Sequence, residues 1–88
     1  MPEIVVEIKN KSGLHLRPAA EFVKKAAEFQ SNITLERDGK AVNAKSILHV
    51  QALGVRQGMT VKIRAEGEDA EEALTALEEL VKNKFGEA

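Results

Sequence analysis

Cysteine, tryptophan and tyrosine are missing from this chain of 88 residues, and its aromatic side chains are Phe22, Phe29 and Phe85 alone. Without cysteine there is neither a disulfide framework nor a thiolate metal site, so a cytosolic home is the expectation. Three dispersed phenylalanines and the lack of a basic run remove the stacking platform and the electrostatic track that nucleic-acid binding needs. Nor is there an excess of charge of either sign: 13 Lys and Arg face 14 Asp and Glu, for a formal net charge of −1. Such a balance gives no general attraction for nucleic acid or an anionic membrane. No apolar run approaches the length of a membrane span, and Met1-Pro2-Glu3-Ile4-Val5-Val6-Glu7 lacks the basic start and long apolar core of a signal peptide. Repeats, linkers and low-complexity tracts are absent as well. The reading is one domain, residues 1–88, built on a single modest core.

Hydrophobic periodicity then orders the elements. Glu3 to Lys9 alternates, with Ile4, Val6 and Ile8 on one face, the period of a half-buried strand. Asn10 to Gly13 interrupts it. Pro18, with φ preset and no N–H to lose, suits the first turn of a helix. Ala19, Phe22, Val23 and Ala26 form that helix's apolar stripe, opposite Glu21, Lys24, Lys25 and Glu28. Asp38-Gly39, between Asn32–Arg37 and Lys40–Asn43, tolerates the positive φ angles of a two-residue hairpin turn, and such a loop pairs Leu35 with Val42 and Ile33 with Ala44 on one face. Ser46 to Leu53, opened by Ser and stopped by Gly54, reads as a two-turn helix too short to stand alone. Met59 to Glu66 alternates again, with Val61, Ile63 and Ala65 inward. The last helix opens at Asp69 with Glu72 three residues on, close to a capping box, and its stripe runs Ala70, Ala73, Leu74, Leu77, Leu80 and Val81. Lys82 and Lys84 fall at the negative end of its dipole, and Gly86 lies just past it. The order β-α-β-β-α-β-α implies an α+β, open-faced two-layer sandwich: a four-stranded antiparallel sheet with helices on one face and solvent on the other.

Chemistry concentrates in Ser12-Gly13-Leu14-His15-Leu16-Arg17-Pro18-Ala19-Ala20. Residues ahead of Pro18 are biased away from helical geometry, which puts His15 at or just before a helix N-terminus. Unpaired N–H groups and the positive dipole end make that place a ready anion site, and Arg17 adds a fork of donors matched to phosphate oxygens. A neutral imidazole is also a nucleophile, so an anion held here can be accepted covalently. Spacing alone leaves other roles open for His15: a capping or solvated residue, or part of a module that binds an anionic metabolite without reacting.

Gly13-Leu14-His15-Leu16-Arg17-Pro18-Ala19-Ala20, with Asn43-Ala44-Lys45-Ser46-Ile47 and Leu53-Gly54, resembles the HPr family, the histidine-containing phosphocarriers of the bacterial phosphoenolpyruvate-dependent phosphotransferase system. The resemblance covers nearly the whole chain, and three blocks in register make it specific. It implies a strand order of 1-4-2-3, with the active-site loop beside the short second helix. It also implies that Nδ1 of His15 accepts a phosphoryl group from enzyme I and passes it to the A components of enzyme II, with no cofactor, so that the protein is a stoichiometric carrier and not an enzyme. Arg17 would pair with the phosphoryl oxygens, Ser12 would cap the helix or donate to the phosphate, and the N–H groups of Leu16 and Arg17 would bind it. The family's usual residue at position 16 is small, and Leu16 departs from that.

The same resemblance makes Ser46 a candidate for phosphorylation by an HPr kinase/phosphorylase, creating a form that binds a catabolite-control regulator; where that kinase is lacking, the serine is a plain N-cap. His49 and Gln51 depart from the residues typical of kinase-regulated relatives. Dedicated regulatory members lack the active-site histidine, which this chain has. The parallel nitrogen-related phosphotransfer chain is a further alternative, although Lys45-Ser46-Ile47 leans towards the sugar branch. Ile47, Leu48, Val50, Leu53 and Val55 are too many apolar residues for one short helix to bury, so Leu48 above all is expected in an exposed docking patch, with His49 and Gln51 at its rim and Ala20 and Lys24 on the neighbouring helix. A metal site pairing His15 with His49 lacks carboxylates at ligand spacing. The chain is expected to act as a cytoplasmic monomer.

Overall fold

Strand alternation carries directly into the sheet. In the computed structural model, which describes residues 2–87, β1 (Glu3–Glu7), β2 (Asn32–Arg37), β3 (Lys40–Asn43) and β4 (Thr60–Glu66) form one antiparallel sheet. Their order is β1-β4-β2-β3, as the family resemblance implied. Val6, Ile33, Leu35, Val61, Ile63 and Ala65 point to the covered face and are buried. On the open face Glu3 of β1 pairs with Arg64 of β4 at 3.0 Å and with Lys62 at 3.7 Å, the charged partners that suit a solvated surface.

The hairpin register is the expected one. Leu35 lies opposite Val42, and the Ala44 N–H donates to the Ile33 carbonyl at 2.9 Å. Asp38 and Gly39 take φ of 52° and 83°, the two positive values of a type I′ turn whose twist matches that of paired strands.

Three helices, α1 (Leu16–Ala26), α2 (Ile47–Ala52) and α3 (Ala70–Lys82), cover one side, followed by a 3₁₀ turn at Lys84–Gly86. Phe22 from α1, Val50 from α2 and Leu74, Leu77 and Val81 from α3 meet the strand residues in one core. Each fully buried side chain of this size contributes about 1.5–3 kcal/mol through apolar area removed from water. Tertiary contacts also rescue α2, whose six residues could not hold alone. The Ser46 hydroxyl accepts from the His49 N–H at 3.4 Å, and at the other end Arg37 of β2 donates Nη1 to the carbonyls of Leu53 (2.6 Å) and Gly54 (3.3 Å).

The capping box expected at Asp69 does not form. Asp69 is the N-cap of α3, yet its side chain makes no cap hydrogen bond. Its carboxylate instead accepts from the N–H groups of Gln30 (2.8 Å) and Ser31 (2.9 Å) and from the Ser31 hydroxyl. The turn after α1 would otherwise leave those two backbone donors unpaired, and an ionised acceptor bonds them more strongly than a neutral one. The Ser31 hydroxyl first, and then the Gln30 N–H, hold the Asp69 carboxyl below the ordinary carboxylate range.

Candidate functional site

The site begins with the loop that leaves β1. Strand-like bonds continue past Glu7: Ile8 donates to Met59 at 2.9 Å, Gly58 donates back to Ile8 at 2.7 Å, and Leu14 donates to Val55 at 3.0 Å. These bonds press residues 8–14 against residues 55–59. Gly13 makes the approach possible, because with φ at 63° a Cβ there would lie 2.7 Å from both the Arg56 Cα and the Val55 carbonyl oxygen. Buried Leu14 anchors the loop from below.

His15 follows as the N-cap of α1, with extended backbone (φ −83°, ψ −163°) and no side-chain cap bond. Its carbonyl accepts the first helical bond from the Ala19 N–H at 2.9 Å, while the imidazole stays exposed. Ser12 therefore does not cap α1, contrary to one of its two expected roles, because the N-cap is His15, three residues further on. Leu16 and Arg17 supply first-turn N–H groups with no intrahelical acceptor, and Pro18, buried at the third helical position, has none to offer. No acidic residue lies in the first turn, so nothing within the helix offsets the positive dipole end.

A carboxylate arrives from the far end of the chain. Glu87 Oε2 accepts from the Ser12 hydroxyl at 2.7 Å, and Oε1 accepts from Asn10 Nδ2 at 3.3 Å and from the Ser12 N–H at 3.5 Å. The Ser12 hydroxyl leads in holding the Glu87 carboxyl below its ordinary range, Asn10 adds to it, and the Arg17 guanidinium contributes through its charge. Asn10 is buried; its Nδ2 also donates to the Gly13 carbonyl at 2.7 Å, and its Oδ1 is buried without a partner among the described residues. Sequence reasoning missed Glu87 and Asn10. Asn10 had shown only as a strand breaker, and nothing local marks a residue that acts across 75 positions.

Ser12 and His15 share the wall of a cleft of about 520 Å³ with Lys11, Gln51, Arg56 and Gln57, among others. The structure thus brings Gln51 to the histidine and adds two cations, Lys11 and Arg56, that the sequence did not single out. Beside the cleft α1 packs against α2. Leu48 is 74% exposed, Leu16 65% and Ile47 40%, whereas Val50, Leu53 and Val55 are buried. Beside the cleft the exposed apolar residues are therefore Leu48, as expected, together with Ile47 and Leu16; Val5, 62% exposed, lies away from it on the open sheet face. His49, Ala20 and Lys24 are also exposed. Ser46 sits at the opposite end of α2 from Gln51 in the cleft wall, about 7.5 Å of helical rise away. Among the described residues, no group of three or more His, Asp or Glu side chains is assembled to hold a metal ion, and no helix is long and apolar enough to cross a membrane.

Comparison with known proteins agrees with this geometry. The family model for the PTS HPr component phosphorylation site matches residues 2–83. The chain is 45% identical over 87 residues to the phosphocarrier protein HPr of Xylella fastidiosa (strain Temecula1), covering 99% of this chain and 98% of that protein. It is 51% identical over 72 residues to the HPr-like protein Crh of Bacillus subtilis (strain 168), covering 82% and 85%. Among solved structures, HPr-C-His from Thermoanaerobacter tengcongensis superimposes with a TM-score of 0.98 at 57% identity, over 100% of this chain and 99% of that one. A histidine free at a helix N-cap with an arginine two residues on, in a chain so matched along its length, leads to one conclusion: this chain belongs to the HPr family of phosphocarrier proteins of the phosphotransferase system.

Proposed function

We propose that this chain is a stoichiometric phosphoryl carrier that takes a phosphoryl group from phospho-enzyme I onto His15 and delivers it to enzyme II A components, in support of sugar uptake. The observation that carries the reading is the exposed His15 imidazole at the N-cap of α1, beside the free N–H groups of Leu16 and Arg17. A lone pair on the ring nitrogen attacks phosphorus in line as the bond to the donor's leaving atom breaks, and that atom keeps the electron pair. A neutral imidazole need lose no proton before attack, so positioning and charge neutralisation suffice. The Leu16 and Arg17 amides, the Arg17 guanidinium and the Ser12 hydroxyl supply them. An open rim suits a group that two partner proteins must reach in turn. Leu48, with Ile47 and Leu16, forms the apolar centre on which those partners dock, His49, Gln51 and Lys24 form its polar border, and Ala20 extends it along α1.

Intact mass after incubation with enzyme I and phosphoenolpyruvate tests the proposal. One phosphoryl adduct is expected, removed by mild acid, stable to base and absent in His15→Ala. An unmodified wild-type chain would falsify the carrier role.

A second reading is regulatory. Similarity to Crh proteins as well as to HPr proteins favours it, together with Ser46 at the N-cap of α2, where a phosphate is compatible with the helix and would recast the neighbouring docking surface. ATP-dependent modification at Ser46, lost in Ser46→Ala, followed by binding of a transcription regulator, is its expected signature. His15 argues against regulation as the sole role.

A further inference from the structure

The Ser12 hydroxyl has one proton to donate, and in this structure it goes to Glu87. On the carrier reading, a phosphoryl group on His15, in the cleft that Ser12 also lines, draws on that same hydroxyl. Both anions cannot hold the same donor, and Arg17, whose charge already acts on Glu87, would have to serve both. Glu87 is thus placed as a competitor. The segment that delivers it is strained as well: Lys84, Phe85 and Gly86 lie consecutively in the left-handed region, with φ of 55°, 55° and 78°. Two of the three carry a Cβ, for which that conformation is unfavourable. The segment is kept in place by burial of Phe85, by the bonds from Gly86 N–H to Asn83 (3.0 Å) and Glu87 N–H to Lys84 (2.9 Å), and by the Glu87 carboxylate at its tip.

We propose that Glu87 is an internal stand-in for the phosphoryl group. In the unloaded chain its carboxylate orders the donors of the His15 loop, and on loading it gives them up and releases the residues that follow α3. The proposal rests on the carrier reading for its second half, while its first half stands on the unloaded chain alone. Competition is reciprocal: whatever weakens Glu87's hold strengthens an anion at the loop, and loading weakens Glu87's hold in turn. Glu87 is a positioning residue, since it acts through Ser12 and Asn10.

Inorganic phosphate titrated into the unloaded full chain, followed through the amide resonances of Ser12, Leu16 and Arg17, gives the direct test. Glu87→Gln removes the negative charge and should bind phosphate roughly fivefold more tightly, the effect of one exposed charge. In Ser12→Ala the shared donor is gone, so adding Glu87→Gln should bring a markedly smaller gain, a coupling that a merely structural role for Glu87 would not produce. Amide exchange completes the experiment: Gly86 and Glu87 should exchange faster in the phosphorylated wild type than in the unloaded chain, with no such change in Glu87→Gln. Equal or weaker phosphate binding by Glu87→Gln, an undiminished gain without Ser12, or unaltered exchange on loading would each overturn the proposal. Absence of any phosphoryl adduct on the wild type would instead strike the carrier reading, and the phosphate titration would still decide on competition.

Discussion

Replacing Gly13 by alanine isolates what the close approach beneath His15 contributes. The new Cβ would sit 2.7 Å from the Arg56 Cα and 2.7 Å from the Val55 carbonyl oxygen, both backbone atoms that cannot swing aside. A non-glycine residue at φ of 63° also costs about 1–2 kcal/mol through Cβ sterics. Forcing the two segments apart adds about 1–3 kcal/mol, as overpacking generally does, so the whole loss is roughly 2–5 kcal/mol. Gly39→Ala is the matched control. Gly39 has a positive φ of 83°, but a Cβ there meets nothing within 4 Å, so conformation alone is charged at about 1–2 kcal/mol. Against a total stability of roughly 4–13 kcal/mol for a chain of this length, Gly13→Ala should populate unfolded molecules at modest temperature. Urea denaturation followed by far-ultraviolet circular dichroism measures both variants. In thermal scans each kcal/mol should appear as about 4–8 °C of Tm. Equal losses in the two variants, within about 0.5 kcal/mol, would refute the reasoning, because the approach of residues 55–56 would then contribute nothing.

Acid should expose the clamp between Asp69 and the Gln30–Ser31 turn. The folded carboxyl lies below its unfolded value, so the unfolded chain takes up the proton first as pH falls. The clamp's contribution is therefore complete above the ordinary carboxylate range and is lost as pH drops through the lowered folded value. Asp69→Asn should flatten this part of the stability profile, measured as urea midpoints against pH, while Glu3 and Glu87, also lowered, leave a residual slope; an unchanged slope would show that the clamp is not the titrating element. On α2, neighbouring substitutions should separate docking from folding. Leu48→Lys should leave Tm unchanged and raise the KM of enzyme I for this substrate, whereas Val50→Ala, fully buried, should cost about 2 kcal/mol of stability with little change in that KM. Both variants altering Tm equally would remove the distinction.

Local patterns were readable wherever neighbours in sequence decide the outcome. The alternation at Ile4, Val6 and Ile8, the Asp38-Gly39 turn with its Leu35–Val42 pairing, and the His15-to-Pro18 entry into α1 all follow from a few adjacent residues. Asp69 shows where such reading fails. Its spacing to Glu72 fits a cap, yet two backbone donors 38 and 39 positions upstream bind its carboxylate first, and no local pattern records them. The contact of Glu87 with Ser12 escaped for the same reason, at still greater separation. Leu16, which the sequence leaves outside the apolar stripe of α1, looks outward.

His15 and its cleft lie beside the packed pair of α1 and α2 that carries exposed Leu16, Ile47 and Leu48, while the open sheet face carries charged pairs and the exposed Val5. On the carrier role proposed above, donor and acceptor would compete for one footprint there, and no assembly would hold both while the group changes hands. Each delivery then demands complete escape from one partner before capture by the next. Residence time on either partner, more than the speed of the chemical step, becomes the ceiling on traffic through the relay, and a tighter grip on this footprint would slow it.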